Sequence, residues 1–423
     1  MPEKFIVRGG TPLKGEIKVS GSKNAAGPIL AATLLSDQPC IISNLPLISD
    51  VFHLTEVIKA MGAEVKWLDK KTVSICAKTL NPEKIPAELF EKTRMSVLLT
   101  GPLLARFSGF KIPHPGGDKI GVRPITTHLE GLASVGVKAS NSGQFYCFQR
   151  PKTLKAARIV LKEFSVTATE NVIMAASLAQ GKTLIEIAAA EPHVKELGDF
   201  LLKMGLNIQG QGSHTIEIQG SKKLLDGVNW RVPPDYIEAG TFLIAFALTH
   251  GQGKIKGIRP NDLSFFLEKM KEIGVNFQIK DNDIIINKSK SFKAAKVQTL
   301  PHPGFPTDLQ PQTCVLLTQA KGKSLIHDPL YENRFSHLHQ LRKMGADIEI
   351  TDPHRALIFG PAKLLGTKVD GTDIRSTVAL ILAGLTAKGK TIVSGAEQAD
   401  RGYEKIEKKL KSLGAKIERI SEK

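Results

Sequence analysis

Two cations sit where a helix would not choose them. Lys23, in GSKNAA at 21–26, and Arg94, in KTRMSVLL at 92–99, each open a stretch that is apolar nearly all round. The first turn of a helix is its partly positive end, so a basic side chain there is slightly disfavoured. An anion held by that charge and by the free backbone N–H groups reverses the balance. Other apolar stretches open on Ser165 and Thr167, on Asp235 and Glu238, on Asp308, and on Asp373 with Arg375. Ser, Thr and Asp in such places serve as N-caps. Lys and Arg do not, and they point to bound negative groups. A second feature is PHPGGDKIGVRP at 113–124, where glycines at 116, 117 and 121 and the prolines around them exclude a regular element. This loop, between a short strand at 109–112 and a helix starting near Ile125, is of the kind that closes over a substrate.

The elements that carry these residues repeat. An apolar residue followed by Gly ends a helical pattern at Met61-Gly62, Val135-Gly136, Met204-Gly205, Ile273-Gly274, Met344-Gly345 and Leu413-Gly414. The glycines stand 74, 69, 69, 71 and 69 residues apart. Each follows an amphipathic stripe, such as Val194, Leu197, Leu201 and Met204, and each supplies a left-handed stop. Alternating strand patterns follow, as in Ala63-Glu-Val65 and Ala346-Asp-Ile348. Each unit also holds a helix apolar on all sides, expected at 23–35, 94–106, 168–179, 237–249, 308–319 and 375–387. Such helices are buried, and a lone unit of about 70 residues cannot cover one, so the units must pack in groups, most naturally two groups of three.

Composition bounds the reading. There are 58 basic and 41 acidic side chains, a net charge of +17, with 42% hydrophobic and 23% charged residues, as in a globular chain. No apolar run is long enough to span a bilayer, and MPEKFIVRGG has no apolar signal segment, so a cytoplasmic protein with no membrane partner is expected. The four cysteines are scattered without metal-ligand spacing and are expected to be buried, reduced thiols; no metal and no cofactor is expected. The positive charge allows nucleic acid or anionic small molecules as partners. The lysines of 404–423 alternate with glutamates like a solvated helix face, and four Tyr and two Trp give few stacking platforms, so nucleic acid is not expected.

Seven motifs in order, GSKNAA (21–26), GPLLARF (101–107), PHPGGDKIGVRP (113–124), FPTDLQ (305–310), ENRF (332–335), TDIRS (372–376) and DRGYE (400–404), carry an end-to-end resemblance to the enolpyruvyl transferase family. The resemblance implies an α/β fold, a two-domain inside-out α/β barrel of six similar helix–strand units, three per domain, with the site in the cleft between the domains. The first domain is expected at 21–229, carrying the loop 113–124, and the second at 230–423 with the N-terminal strand 1–20. The loop, ENRF and DRGYE resemble the branch that takes a UDP-linked sugar. That branch moves the enolpyruvyl group of phosphoenolpyruvate onto the 3′-hydroxyl of UDP-N-acetylglucosamine through a tetrahedral intermediate, with loss of phosphate, and so opens peptidoglycan synthesis.

By the same resemblance Lys23 and Asn24 contact phosphoenolpyruvate, and Arg123 and Arg401 grip its anionic groups with planar forks suited to two oxygens at once. Arg94 and Arg375 are further cleft arginines. Pro124, Thr126, His128, Ser165 and Val166 lie where the family contacts the nucleotide, and Leu330 aligns with a backbone contact to the sugar. Asp308 is the expected base for the sugar hydroxyl, or a plain N-cap. Glu191, Arg334 and Asp373 are expected to line the site. Two departures stand out. Asp118 occupies a loop position where the family mostly has Cys, and Tyr236 a position where it often has Arg. Asp118 is therefore expected to be a general acid rather than a nucleophile. The family thiol is what fosfomycin alkylates, so resistance to that drug is expected. The competing readings are the sister enzyme acting on shikimate 3-phosphate and a non-catalytic, nucleic-acid-binding paralogue.

Overall fold

The computed structural model describes residues 3–118 and 120–421. The chain divides into two units. The N-unit is Gly21–Gly117 with Arg123–Pro233, and the C-unit is Met1–Ser20, Asp118–Val122 and Pro234–Lys423. Each has its own apolar core.

The N-unit is built on the helices Lys23–Ala32, Thr100–Arg106 and Val166–Ala176, the C-unit on Tyr236–Leu248, Gln310–Leu317 and Ile374–Thr386. These are the helices expected from apolar runs. All thirteen residues of Tyr236–Leu248 are buried, as a helix with no polar face requires. The second and fifth runs begin as 3-10 turns, Arg94–Leu99 and Thr307–Leu309, before becoming α-helical. The amphipathic helices end at the six predicted glycines. All six glycines have φ between 92° and 100°, a region that costs an L side chain about 1–2 kcal/mol.

Six sheets, three per unit, flank the helices among the described residues. Gly109–Pro113, Phe145–Gln149 and Lys138–Ser142 form a sheet that is antiparallel throughout. The other five share one order, clear in Arg158–Val160, Lys182–Glu186, Thr215–Gln219 and Asn207–Gln209. The first two strands are parallel, joined across the helix Val166–Ala176, and the others are antiparallel. The strands alternate buried and exposed residues, which puts one face of each sheet on the helices and one in solvent. Three sheets draw a strand from a distant part of the chain, one of them by pairing Lys14–Lys18 in parallel with Gln252–Lys256. Asn229–Arg231 supplies the parallel strand beside Cys40–Ser43. Glu3–Arg8 lies between Lys390–Ser394 and Lys416–Ser421, antiparallel to both. The expected α/β class and its six helix–strand units are thus observed. All four cysteines are free thiols, but only Cys40 and Cys314 are buried; Cys76 and Cys147 are half-exposed, because they fall on partly covered positions of short strands.

Candidate active site

In the N-unit, Ser22 caps the helix Lys23–Ala32 by accepting from the Ala25 amide, which leaves Lys23 as the first helical residue. The Lys23 ammonium lies 3.3 Å from the Asp50 carboxylate, whose side chain is only 2% exposed. Asp50, at the start of the helix Ser49–Ala60, reads in the sequence as an ordinary first-turn acid and gives no other signal. Arg94 opens its 3-10 turn, and its Nη2 donates to the Pro124 carbonyl at 3.4 Å. That carbonyl belongs to the lead-in to the helix Thr126–Ala133. His128, buried on this helix, shares a 2.9 Å hydrogen bond between Nε2 and Thr167 Oγ1. Burial first, then the positive charges of Arg94 and Arg123, push its pKa down to about 3, so it is a neutral imidazole. Ser165 precedes Val166–Ala176 without a side-chain cap, and Glu191 precedes Pro192–Lys203 in the same way. Arg94, Arg123, Pro124, His128 and Thr167 therefore form one group. Thr126 and Asn24 hold the first turns of their helices.

The loop glycines are there for space. A Cβ on Gly116 would stand 1.6 Å from the Glu91 carbonyl oxygen. On Gly117, whose φ is +129°, it would stand 2.9 Å from Arg94 Cβ and 3.1 Å from Arg123 Nη1.

The C-unit carries two ion-pair groups. Asp118 Oδ1 accepts from Arg401 Nη1 at 2.6 Å, with both side chains about seven-eighths buried. Gln398 Oε1 accepts from the same nitrogen at 3.0 Å. The cation on Asp118 is thus Arg401; Lys119 lies outside the described residues. Two residues on, the Ile120 carbonyl accepts from the Asn333 amide at 3.1 Å, and Gly121 leaves room for Glu332 Oε2, 2.1 Å from where a Cβ would be.

The second group centres on Asp308. Its Oδ1 accepts from Arg334 Nη2 at 3.0 Å and its Oδ2 from Arg375 Nη2 at 2.7 Å. It caps no helix: Pro306 and Leu309 hold the cap positions of the 3-10 turn and the helix after it, so the N-cap alternative fails. Both arginines are nearly inaccessible, at 1% and 4% side-chain exposure, whereas Asp308 is 29% exposed. Burial alone would lower the pKa of each guanidinium, but Asp308 and its other neighbours outweigh burial and raise it. Arg334 also donates to the Thr307 carbonyl and lies 3.8 Å from Asp373. Asp373 makes a capping box with Ser376 on Ile374–Thr386. Leu330 is exposed, and its amide donates to Asp328, whose other oxygen takes the Thr307 hydroxyl. Asp328 is a further support that the sequence does not single out. Tyr236 is buried at the start of its helix, where Asp235 serves as cap. Among the described residues no group of three His, Cys, Asp or Glu side chains is arranged to hold a metal ion. No helix among them is long and apolar enough to cross a membrane.

In the C-unit, a carboxylate bracketed by two buried guanidiniums and a second carboxylate held by Arg401 suit proton transfer, and in the N-unit a lysine heading a buried helix suits an anion. Comparison with known proteins gives the class. Residues 7–410 match the family model described as EPSP synthase (3-phosphoshikimate 1-carboxyvinyltransferase), and the chain belongs to this family of enolpyruvyl transferases. Its similarity to curated members is full-length. It is 42% identical over 420 residues to the UDP-N-acetylglucosamine 1-carboxyvinyltransferase of Coxiella burnetii strain RSA 493, covering 99% of this chain and 96% of that one. It is 44% identical to the protein of that name from Pelagibacter ubique, covering 99% and 100%. Among solved structures, the enolpyruvyl transferase NikO from Streptomyces tendae superposes over 100% of both chains with a TM-score of 0.90 at 22% identity. An EPSP synthase from Acinetobacter baumannii also superposes over 100% of both, at 0.75 and 18%. These two likenesses establish the fold.

Proposed function

We propose that this enolpyruvyl transferase takes phosphoenolpyruvate as donor and the 3′-hydroxyl of UDP-N-acetylglucosamine as acceptor, releasing phosphate. The observation that carries the reading is identity of 42–44% over the full chain with relatives bearing that substrate in their name. The reaction would open peptidoglycan synthesis in the cytoplasm. Residues 21–229 and 230–423 with 1–20 are read as its two enolpyruvyl transferase domains.

In this reading the sugar oxygen bonds to C2 of the donor and its proton passes to Asp308, which is exposed on one side and held on the other by Arg334 and Arg375. The methylene carbon takes a proton from Asp118, and the resulting methyl group returns one as phosphate leaves. Lys23, Asn24, Arg123 and Arg401 hold the donor's charges. Arg94, Pro124, Thr126, His128, Ser165, Val166 and Leu330 hold the UDP-sugar, and Glu191 and Asp373 line the site. Arg401, paired with Asp118 at 2.6 Å, would bring the donor beside the acid. A carboxylate in place of the family thiol makes the protein resistant to fosfomycin.

The test is phosphate release from phosphoenolpyruvate with UDP-N-acetylglucosamine, with shikimate 3-phosphate, or with no acceptor. Release only with the UDP-sugar is expected. Release with shikimate 3-phosphate instead would move the protein to the activity in the family description.

A further inference from the structure

Tyr403, in DRGYE, is 1% exposed and has no assigned part in the chemistry above. Its hydroxyl lies 2.8 Å from Thr241 Oγ1 and accepts from Gln312 Nε2 at 3.1 Å. Thr241 comes from the helix Tyr236–Leu248 and Gln312 from Gln310–Leu317, so two buried helices hold the end of the ring. Burial raises the phenol's pKa, and the hydroxyl stays a neutral hydrogen-bonding group. The face of the ring carries the Arg375 guanidinium, with Cζ 5.3 Å from the centroid. A desolvated cation on an aromatic face is held there electrostatically. Both arginines on Asp308 lie over a ring, Arg334 over Tyr331 at 5.9 Å and Arg375 over Tyr403, but they differ in their second anchor. Arg334 is tied to the backbone beside Asp308, through the Thr307 carbonyl. Arg375 reaches Asp308 from 67 residues away and has Tyr403 behind it.

We propose that Tyr403 is a positioning residue for the proton-accepting carboxylate: pinned by Thr241 and Gln312, its ring holds Arg375 against Asp308 Oδ2. The inference rests on the reading of Asp308 as base, and it separates Arg375 from the substrate-gripping arginines. Small misplacements of a reacting group cost up to about 100-fold in rate while leaving binding largely intact.

The experiment compares Tyr403→Leu, which removes the ring's face, with Tyr403→Phe, which keeps it. Tyr403→Leu should lower kcat about 30-fold with KM for both substrates within about twofold, and Tyr403→Phe should recover most of that loss. A crystal structure of Tyr403→Leu should show Arg375 Nη2 withdrawn beyond about 3.5 Å from Asp308 Oδ2. A kcat within twofold of wild type, a loss confined to KM, or an unmoved Arg375 would overturn the proposal. If Tyr403→Leu does not fold, Gln312→Met and Thr241→Val release the hydroxyl while sparing the ring. A fewfold fall in kcat is expected for them, and an unchanged kcat overturns the proposal. If wild type releases no phosphate with any acceptor, the functional reading fails, and the position of Arg375 in the variants still decides this one.

Discussion

At the scale of single residues, the site is a set of charges whose partners come from far along the chain. Asp308 illustrates what this does to mutagenesis. Deleting its carboxylate strands two buried guanidiniums, and breaking a buried pair costs about 3–5 kcal/mol. Asp308→Ala should therefore fall in urea midpoint as well as activity, whereas Asp308→Asn, which keeps the shape, should lose turnover with a smaller stability change. Asp118 gives the cleaner chemical test, because its partner Arg401 keeps a second acceptor in Gln398 Oε1. Asp118→Asn should be nearly inactive, since general acids contribute about 10²–10⁴ in rate. Asp118→Cys should turn over and become sensitive to fosfomycin. An active Asn variant, or rapid inactivation of wild type by the drug, would sink the assignment. The sequence picks out Lys23, Arg94 and Asp308 because their types clash with, or stand out from, the helices they open. It does not reveal Asp50, Asp328 or Tyr403. An acid in a first turn and a tyrosine after a short helix look like local structure, and only the fold brings them to their partners.

Among elements, the helix Thr126–Ala133 links charge to stability. His128 on it is buried neutral with a pKa near 3, against an ordinary value of 6.5. Between those values the unfolded chain binds a proton that the folded chain refuses, so this group's stabilisation is complete above pH 6.5 and is lost as pH falls toward 3. Both tryptophans, Trp67 and Trp230, lie in the N-unit with His128, so their fluorescence reports the relevant transition. The urea midpoint should drop from pH 7 to pH 4.5, and less steeply in His128→Asn; parallel curves would discard the account. The helix-ending glycines separate two kinds of strain. At Gly414 a Cβ meets nothing within 4 Å, while at Gly274 it would stand 2.9 Å from the Ser291 carbonyl oxygen. Gly414→Ala should cost about 1–2 kcal/mol from its φ alone, and Gly274→Ala more. Equal losses by urea titration would mean that the φ term dominates. These elements were legible because 3.6-residue periodicity, full apolarity and a terminal glycine agree at each repeat. Strand partners were not. Nothing in residues 3–8 says that they pair with 390–394 and 416–421, since alternation fixes a face and not a neighbour.

For the whole molecule, the informative fact is that the strands Glu3–Arg8 and Lys416–Ser421 are neighbours in one sheet. Glu3 is in register with Ser421 on the adjacent antiparallel strand. A linker of about four residues from Ser421 to Glu3 would be an ordinary hairpin length. A circular permutant so joined, with its new start at Gly21, should keep both units folded, with urea transitions at wild-type midpoints. Loss of the C-unit transition would show that residues 3–8 need their present connection as well as their present place.

The same strand sets a timetable. The N-unit's residues leave the ribosome almost in one run, so its core can close early. The strand Glu3–Arg8 emerges long before its partners, which follow about 380 residues behind it, roughly 20–80 s at ordinary elongation rates. During that interval Phe5 and Val7, fully buried at the end, face solvent on an unpaired strand. Arrest of synthesis before residue 390 would therefore leave a nascent chain with a finished first half and a sticky unpaired strand, the kind of chain a holding chaperone binds.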